Sequence, residues 1–423
     1  MTLTKGVSNL GYNHVVQGGG GSGVGYVWTV SIGALPPGVT LISGTPNATL
    51  RGIPTVTGTF NFTIRVQDSI GQSSTQDLVL QVTDAMVRAV AGTGNAGFSG
   101  DNDFATSAEL NTPAGVAVDS AGNILISDQL NHRVRRIDGQ TKLITTVVGT
   151  GVPGFNGDPN ALLTEFNSPV GVGLDASGNW LLIDSGNHLL RRVRVDVQPM
   201  LVSTLAGTGI GGFKDGPVAT AQLNGPAGMA VEASGTVLIA DSVNNRVRRV
   251  NLQTGQVTTV AGTGTGGFNG DNILASSAQL NLPTGVAVDF SGNIFIADTL
   301  NQRIRRIDGL TNEITTVAGT GAFGFNGDNP NATLAQLSFP LGIAVDTAGN
   351  VLIADSLSHR VRLVNMQSGE IKTIIGTGAP SYNGDDQLAT TAQINAPMGL
   401  TVSAIGEVFF TEASGMRVRR IGQ

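Results

Sequence analysis

Six aromatic residues with acidic neighbours are the first candidates for binding chemistry in this sequence. They recur in long glycine-rich segments, where a Gly-Asp pair usually follows them, and they are Phe98, Phe155, Phe213, Phe268, Phe325 and Tyr382. An aromatic ring can stack on a sugar, and a neighbouring carboxylate can accept hydrogen bonds from its hydroxyl groups. The same rings could instead fill gaps between packed sheets. Their strict recurrence favours this structural interpretation, because a ligand site normally breaks symmetry.

A second set of candidates consists of neutral amides that stand shortly before a repeated proline. Ser338 occupies the corresponding place once, and the other five positions are Asn111, Asn167, Asn224, Asn281 and Asn395. Calcium and zinc sites need carboxylates or histidines, which this set lacks. We therefore expect no metal or cofactor. We expect these amides to hydrogen-bond the turn before each proline, with a polar ligand site at a channel mouth as the alternative.

Arginines cluster behind single acidic residues, which are Asp128, Asp184, Asp241, Asp298, Asp355 and Glu412. In five of these clusters the first arginine follows the acid by five residues, whereas the second cluster has Leu189 at that place. The spacing predicts a repeated salt bridge across a hairpin. A net charge of -6 also argues against a nucleic-acid surface.

Three histidines share one repeat position, which is occupied in the other repeats by Asn245, Gln302 and Met416. Because His132, His188 and His359 would lie in separate sheets, they are not expected to converge on one metal ion. The chain has no cysteine, which excludes disulfides and cysteine catalysis. No recognised catalytic motif is present either, so we predict a protein that is not an enzyme.

All these residues belong to a unit that occurs six times. A Pro-x-Gly-apolar-x-apolar segment begins every 56 or 57 residues, at Pro113, Pro169, Pro226, Pro283, Pro340 and Pro397. The first unit contains four predicted strands, at about residues 115–119, 124–128, 133–137 and 144–148. Four antiparallel strands at such a period form one blade of a β-propeller.

The two ends of the array predict how the propeller closes. The last unit has no fourth strand before Gln423, whereas residues 87–92 match a fourth strand without a blade of its own. We expect this segment to complete the last blade as a latch. The sequence thus predicts an all-β chain with a closed six-bladed propeller over residues 85–423.

Residues 1–84 differ from the repeats and predict a small β-sandwich. Alternating apolar residues, as in Leu78-Val79-Leu80-Gln81-Val82, are interrupted by frequent turns. Few strand-forming residues precede Gly11, which predicts a sandwich that lacks its first strand and leaves an edge open to a neighbour's strand. Alternatively, residues near Leu3 pair well enough to cover that edge. The short connection between Val82 and Val87 predicts a nearly rigid joint.

Two family resemblances accompany these patterns. The segment Asp128-Gln129-Leu130-Asn131-His132-Arg133-Val134-Arg135-Arg136, with the preceding residues 115–123, resembles the NHL repeat. Trp28 and the Leu35-Pro36-Pro37-Gly38 turn resemble the putative-Ig, or cadherin-like, modules of bacterial surface proteins. The first resemblance implies a propeller, in a family that is mostly a binding and interaction scaffold, and neither implies an activity.

We therefore expect an extracellular or cell-surface protein, bacterial in origin, that binds or assembles. One version is a fibre subunit that associates with copies of itself or with other surface proteins or glycans through the Ig-like module. A carbohydrate- or peptide-binding propeller is the first alternative, and a metal-dependent lactonase or lyase is the second. The opening residues, Met1 to Lys5, do not resemble a signal peptide, and no stretch predicts membrane insertion.

Overall fold

A computed structural model describes residues 3–18 and 24–422, and it is built almost entirely from strands. Met1 and Thr2, the glycine-rich stretch 19–23 and Gln423 lie outside the described residues. The N-terminal module has two sheets, and most of their strand pairs are antiparallel. Their strands are β1 (Gly6–Val7), β2 (Tyr12–Val16), β3 (Val27–Gly33), β4 (Val39–Ile42), β5 (Ala48–Gly52), β6 (Gly58–Gln67) and β7 (Ser73–Thr83).

The two sheets of this module share one apolar core. One sheet has the strand order β1-β7-β6-β3 and the other has the order β2-β5-β4. Trp28 comes from the first sheet and Leu50 from the second, and both are buried in the same cluster of side chains. Alternating apolar residues therefore point inward from both sheets, as the sequence predicts.

The N-terminal segment covers part of the sheet edge that was predicted to be open. Strand β1 pairs in parallel with the end of β7, and the Leu3 N–H donates to the Val79 carbonyl. Pairing thus extends only over the last part of β7. Within the described residues, Ser73–Gln76 of β7 pair with β6 on one side only. The residues near Leu3 therefore pair with β7 and cover about half of this edge, as the alternative interpretation predicts.

The remaining strands form six antiparallel sheets, which we call blades 1 to 6. Blade 1 contains β10 (Pro113–Val118), β11 (Ile124–Asp128), β12 (Arg133–Ile137) and β13 (Leu143–Val148). Blade 2 contains β14 (Pro169–Leu174), β15 (Trp180–Asp184), β16 (Leu189–Arg194) and β17 (Leu201–Ala206). Blade 3 contains β19 (Pro226–Val231), β20 (Val237–Asp241), β21 (Arg246–Asn251) and β22 (Gln256–Ala261). Blade 4 contains β24 (Pro283–Val288), β25 (Ile294–Asp298), β26 (Arg303–Ile307) and β27 (Glu313–Ala318). Blade 5 contains β28 (Pro340–Val345), β29 (Val351–Asp355), β30 (Arg360–Val364) and β31 (Ile371–Ile375). Blade 6 contains β33 (Pro397–Val402), β34 (Val408–Glu412), β35 (Arg417–Gly422) and β8 (Met86–Ala91).

Short elements complete the blades. Two-residue strands extend the outer edges of four blades, and they are β9 (Asp103–Phe104), β18 (Gly216–Pro217), β23 (Ile273–Leu274) and β32 (Gln387–Leu388). Single turns of 3₁₀ helix lie between the second and third strands at Gln129–Asn131, Ser185–Asn187, Ser242–Asn244, Thr299–Asn301 and Ser356–Ser358. Others lie in the long connections at Ala105–Ser107, Ala161–Leu163, Ala275–Ser277, Ala332–Leu334 and Ala389–Thr391.

The blades pack in a ring through their first strands. Each first strand contacts the first strands of two other blades, including β10 of blade 1 against β33 of blade 6. None of the sheets closes on itself within the described residues, so the ring arises from packing between separate sheets. The glycine of each Pro-x-Gly segment permits the close approach. A Cβ atom at Gly342 would overlap the Met398 carbonyl, and one at Gly399 would overlap the Ala114 carbonyl.

The predicted latch strand is present in blade 6. Strand β8 pairs with β35, with Val87 opposite Ile421 and Ala91 opposite Val418. The last blade therefore joins the last strand of the propeller to a strand that comes directly after the N-terminal module. The strand pairing predicted for residues 87–92 is therefore present.

The two modules share a packed interface. Only Asp84 and Ala85 separate β7 from β8. Leu10 is 3% exposed and belongs to a cluster of apolar side chains that includes Leu363 and Ile374 of blade 5. Hydrogen bonds add to this contact, because Asn13 Nδ2 lies 3.0 Å from the Thr347 carbonyl. A short connection and a shared apolar core support the predicted rigid joint.

Candidate functional site

The two ends of the propeller carry different structures. One end, which we call the turn face, carries the tight turns between the first and second strands and between the third and fourth strands. The N-terminal module packs there, against Thr347 of blade 5 and Gly406 of blade 6. The opposite end, which we call the loop face, carries the long connections between blades and the 3₁₀ turns. Both predicted sets of site residues lie on the loop face.

Each aromatic residue of the long connections lies over arginine side chains. In five blades the Cζ atom of the first arginine of the third strand lies 3.7–3.9 Å from the ring centroid. In all six blades the second arginine, two residues later, lies 4.7–5.1 Å from the centroid. The rings are still 36–50% exposed. They cover arginines by cation–π contact and do not fill closed gaps between blades.

The second arginine of each blade is the centre of a buried ionic network. These arginines are Arg135, Arg191, Arg248, Arg305, Arg362 and Arg419, and all have 0% exposure. In blade 3, Arg248 Nη1 lies 2.8 Å from Asp241 and its Nη2 lies 2.5 Å from Asp215 of the long connection. The other five blades repeat this double pairing at 2.8–3.7 Å.

The predicted partner of the buried acid is therefore wrong. The acid pairs with the arginine seven residues later, not with the one five residues later. Arg133 lies directly opposite Asp128 in the ladder, but its side chain extends over Phe98 and donates to the Thr150 carbonyl at 2.6 Å. Asp128 points into the blade, where only the second arginine, Arg135, lies close to it.

The loop aspartates are also occupied by structural contacts. Asp158 accepts hydrogen bonds from the buried Arg191 and from Thr204 of the outermost strand at 2.9 Å each. Asp215 and Asp328 make the corresponding contacts with Thr259 and Thr373. These carboxylates therefore hold the long connections on their blades, and fewer of their lone pairs remain for a sugar.

Burial has a strong effect on the inner acids. Desolvation raises the pKa of Asp128, Asp184, Asp298 and Asp355 to about 6 and that of Glu412 to about 7, against the opposing effect of hydrogen bonds and the buried arginines. Because equivalent acids in several blades have the same surroundings and the same raised pKa, we interpret these carboxyls as structural.

The five predicted asparagines precede the first strands on the loop face, and they are not among the residues that line the central channel. Their backbone N–H groups donate to the buried acids, for example from Asn111 to Asp128 at 2.7 Å and from Asn281 to Asp298 at 2.7 Å. Their side-chain amides make no hydrogen bond within the part of the chain that the structure describes, and they are half-buried. The predicted bond to the turn is thus made by the backbone, and the carboxamides remain available.

The histidine position forms bonds between neighbouring blades. His132 Nδ1 accepts the N–H of Ser168 in blade 2 at 3.1 Å, and His188 and His359 make equivalent bonds at 3.0 and 3.1 Å. The oxygen atoms of Asn245 and Gln302 replace the imidazole nitrogen in two further blades. Sequence reasoning missed this role, although the shared ability of these residue types to accept a hydrogen bond was a usable signal.

The central channel offers mainly apolar surface. A cavity of about 130 Å³ is lined by the first strands, including Val170, Leu341 and Met398. Thr284 supplies a hydroxyl group, but it bonds to the Leu341 carbonyl. Among the described residues, no group of three or more His, Cys, Asp or Glu side chains could hold a metal ion. The described part of the chain contains no helix long and apolar enough to cross a membrane.

Comparisons with known sequences find matches to two family models. Residues 4–83 match the family model named "Putative Ig domain", and residues 110–137 and 337–362 match the NHL repeat. The chain is 28% identical over 299 residues to SUPPRESSOR OF QUENCHING 1 of Arabidopsis thaliana, which covers 68% of this chain and 28% of that protein. It is 27% identical over 296 residues to NHL repeat-containing protein 2 of Homo sapiens, which covers 63% of this chain and 40% of that protein. The chain thus spans well under half the length of these two relatives.

Solved structures share the fold over almost the whole chain. A Bacteroides thetaiotaomicron protein of unknown function aligns with a TM-score of 0.65 and 19% identity, covering 99% of this chain and 96% of that one. An auxiliary nutrient binding protein from the same organism aligns with a TM-score of 0.61 and 14% identity, covering 98% and 95%. A gluconolactonase of Xanthomonas campestris aligns over 80% of this chain and 89% of its own with a TM-score of 0.50 and 13% identity.

These likenesses concern the fold, which binding proteins and enzymes share. The resemblance that the motifs predict is confirmed: the chain has matches to the Putative Ig domain and to the NHL repeat, and its all-β fold is propeller-like.

Proposed function

We propose that this chain is a closed six-bladed propeller, rigidly joined to an Ig-like sandwich, that serves outside the cell or at its surface as a non-enzymatic binding protein. Its partner is a polypeptide that docks on the loop face. One observation carries this proposal: the Ig-like module packs on the turn face, so it leaves the loop face uncovered. The sandwich then acts as a rigid spacer that presents the propeller.

The loop face has the chemistry that a polypeptide partner requires. Leu130, Val243, Leu300 and Leu357 project from the 3₁₀ turns and are 41–54% exposed. The free carboxamides described above belong to residues that stand beside them on this face. Apolar side chains supply burial, and carboxamides can both donate to and accept from a peptide backbone. The apolar lining of the narrow channel provides neither an acid nor a base for catalysis.

The test compares substitutions on the two faces. The protein is assayed against arrays of peptides and of glycans, and then Leu300→Glu/Leu357→Glu is compared with Leu310→Glu. Leu310 is 91% exposed and lies in a turn of blade 4 on the opposite face, so it is a matched control. We expect saturable peptide binding that the loop-face variant weakens at least tenfold and the control leaves unchanged. Equal loss in both variants, or binding to glycans alone, would overturn the proposal.

A second candidate function is self-association through the Ig-like module. The observation that favours it is the outer edge of β7, where Ser73–Gln76 have no second partner strand among the described residues. Such an edge can accept a strand from another copy. Light scattering over a wide concentration range would detect assemblies larger than the 43.2 kDa chain. A constant mass of one chain at all concentrations would rule this candidate out.

A further inference from the structure

Blade 2 departs from the other five blades at one place on the loop face. Where the other blades have the first arginine of the third strand, blade 2 has Leu189, whose side chain is 1% exposed. The ring that this arginine would cover is nevertheless in place. Phe155 keeps its contact with the buried Arg191, whose Cζ atom lies 5.1 Å from the ring centroid, against 4.7–5.0 Å in the other blades.

The space that the guanidinium group would occupy is open. A Cβ atom at Gly264 of blade 3 or at Gly321 of blade 4 would overlap the guanidinium group of Arg246 or Arg303. At the equivalent Gly209 of blade 2, the nearest atom to such a Cβ would be the Asn187 carbonyl oxygen, 4.0 Å away. The short leucine side chain therefore leaves a vacancy beside the ring of Phe155, which is 50% exposed.

The backbone acceptors around this vacancy have the same pattern as in an occupied blade. In blade 4, Arg303 donates to the Asn301 carbonyl at 3.0 Å and to the Thr320 carbonyl at 2.8 Å. The equivalent carbonyls in blade 2 belong to Asn187 and Thr208. Neither accepts a hydrogen bond from any residue in the described ranges. A ring face and two convergent acceptors are thus left without the cation that they hold elsewhere.

The local charge favours a cation as well. At the position of Leu189, blade 2 lacks the positive charge that the other five blades have there, and Glu165 carries a carboxylate beside Gly154, the residue before the ring. A Cβ atom at Gly154 would come 2.5 Å from Glu165 Oε2. Glu165 forms no ion pair among the described residues. Blade 1 also has a glutamate at this position, Glu109, whereas blades 3 to 6 have glutamine, namely Gln222, Gln279, Gln336 and Gln393.

We propose that this vacancy, bounded by Phe155, Asn187, Thr208 and Gly209, binds the arginine side chain of a partner polypeptide. The guanidinium group would stack on the Phe155 ring and donate to the two carbonyls, as the chain's own arginine does in blade 4. A planar guanidinium group fits this arrangement better than an ammonium group, because it stacks on a ring while donating in two directions. This inference rests on the proposed function, since it names the chemistry by which a partner would be recognised on the loop face.

The probe is N-acetyl-arginine methylamide, titrated into the full-length protein and followed by calorimetry or by NMR. The citrulline analogue, which has the same shape without the charge, is the ligand control. We expect one saturable site per chain for the arginine probe and at least tenfold weaker binding of the citrulline analogue. Equal binding of both compounds, or no saturable binding, would overturn the proposal.

Matched variants locate the site. Leu189→Arg rebuilds the arrangement of the other blades, and Phe155→Ala removes the ring, so each should weaken binding at least tenfold. Phe268→Ala in blade 4, where Arg303 occupies the place, should leave binding unchanged. Arg303→Leu should open a second vacancy and raise the stoichiometry to two. Unchanged binding in Leu189→Arg would overturn the proposal, and Arg303→Leu provides an independent test if that variant does not fold.

The proposed function can fail separately from this inference. If a partner peptide binds the loop face and is lost in Leu300→Glu/Leu357→Glu, but binds equally to Leu189→Arg, the vacancy is not the recognition site and the proposed function stands. If the arginine probe binds in blade 2 while no peptide is retained on the loop face, the vacancy is confirmed as a guanidinium site and the proposed function fails.

Discussion

Blades 2 and 4 contain the same framework but differ in the outer arginine. Both blades have a buried arginine, Arg191 or Arg305, that pairs with an inner acid and a loop aspartate. Only blade 4 has the outer arginine, Arg303, over its aromatic ring. Positions that repeat in every blade thus hold the array together, whereas positions that vary are where the array can acquire binding properties. The following predictions test this division.

The largest effect is expected from the buried arginine. Arg305→Leu leaves Asp298 and Asp271 without their partner, and breaking a buried ion pair costs about 3–5 kcal/mol of stability. Arg303→Leu in the same blade removes a partly exposed arginine and should cost about 1 kcal/mol or less. The free energy of unfolding, measured with denaturant, provides the comparison. Similar losses in the two variants would contradict the division between repeated and variable positions.

The next effect concerns the glycine of the first strand. Gly342→Ala places a methyl group against the Met398 carbonyl of the next blade, and such overpacking costs about 1–3 kcal/mol. The control is Gly173→Ala, whose new Cβ would lie 3.4 Å from Met229 Sδ in ordinary contact. Thermal unfolding of both variants tests the pair. If Gly342→Ala were as stable as the control, the inner strands would not be packed as closely as the ring requires.

A pH effect is expected at the variable position between blades. Burial lowers the pKa of His132 and of His359, whose Nδ1 atoms accept N–H groups from the following blades. Because the unfolded chain takes up these protons first, stability should fall as the pH drops below the ordinary histidine value of about 6.5. Thermal unfolding is measured from pH 7.5 to pH 5.5.

The control for this effect is His132→Asn/His359→Asn, since Asn245 makes the same bond without titrating. The inner carboxyls have raised pKa values, so they favour the folded state as the pH falls, but they are present in both proteins and cancel in the difference. We expect the wild-type protein to lose more stability on acidification than the variant. Parallel pH profiles would show that the imidazole bonds contribute nothing.

The smallest effect is expected where blade 6 meets blade 1. There the acceptor is Met416 Sδ, 3.2 Å from the Thr112 N–H, and Met416 has a φ of 50°. A thioether is a weak acceptor, and asparagine tolerates the left-handed conformation better than methionine. Met416→Asn should therefore stabilise the protein by about 1 kcal/mol. A lower melting temperature would indicate that the apolar contacts of Met416 outweigh its weak hydrogen bond.

Much of the fold could be predicted because the repeats are nearly regular. The first, second and third strands of blade 1, the latch at β8 and the short connection between modules all follow from spacing and from apolar patterning. The edge of β7 was less predictable. Its cover depends on a parallel pairing of Gly6 and Val7 with the distant residues Val82 and Thr83, and no local pattern in the first ten residues specifies that pairing.

The candidate site could likewise be predicted from the sequence only in part. The sequence indicated which residues would lie on the loop face, and it marked Leu189 as an exception among the arginines. It also gave the seven-residue interval between each inner acid and its buried arginine, but the shorter interval suggested the wrong partner. Two residues that lie opposite each other in a β-ladder do not always pair through their side chains. An arginine side chain can extend in several directions from the same strand, so the ladder does not determine which arginine turns inward.

The sequence by itself determined the periodicity, the strand types and the pairing of the segment after the N-terminal module with the last blade. Those properties depend on apolar spacing and on turn residues, which act locally. Only the tertiary structure decided which arginine is buried, which atoms bond neighbouring blades and where a guanidinium-sized space remains open in blade 2. Those outcomes depend on how side chains from three or more distant segments share one volume, and that arrangement is defined only once the blades are packed together.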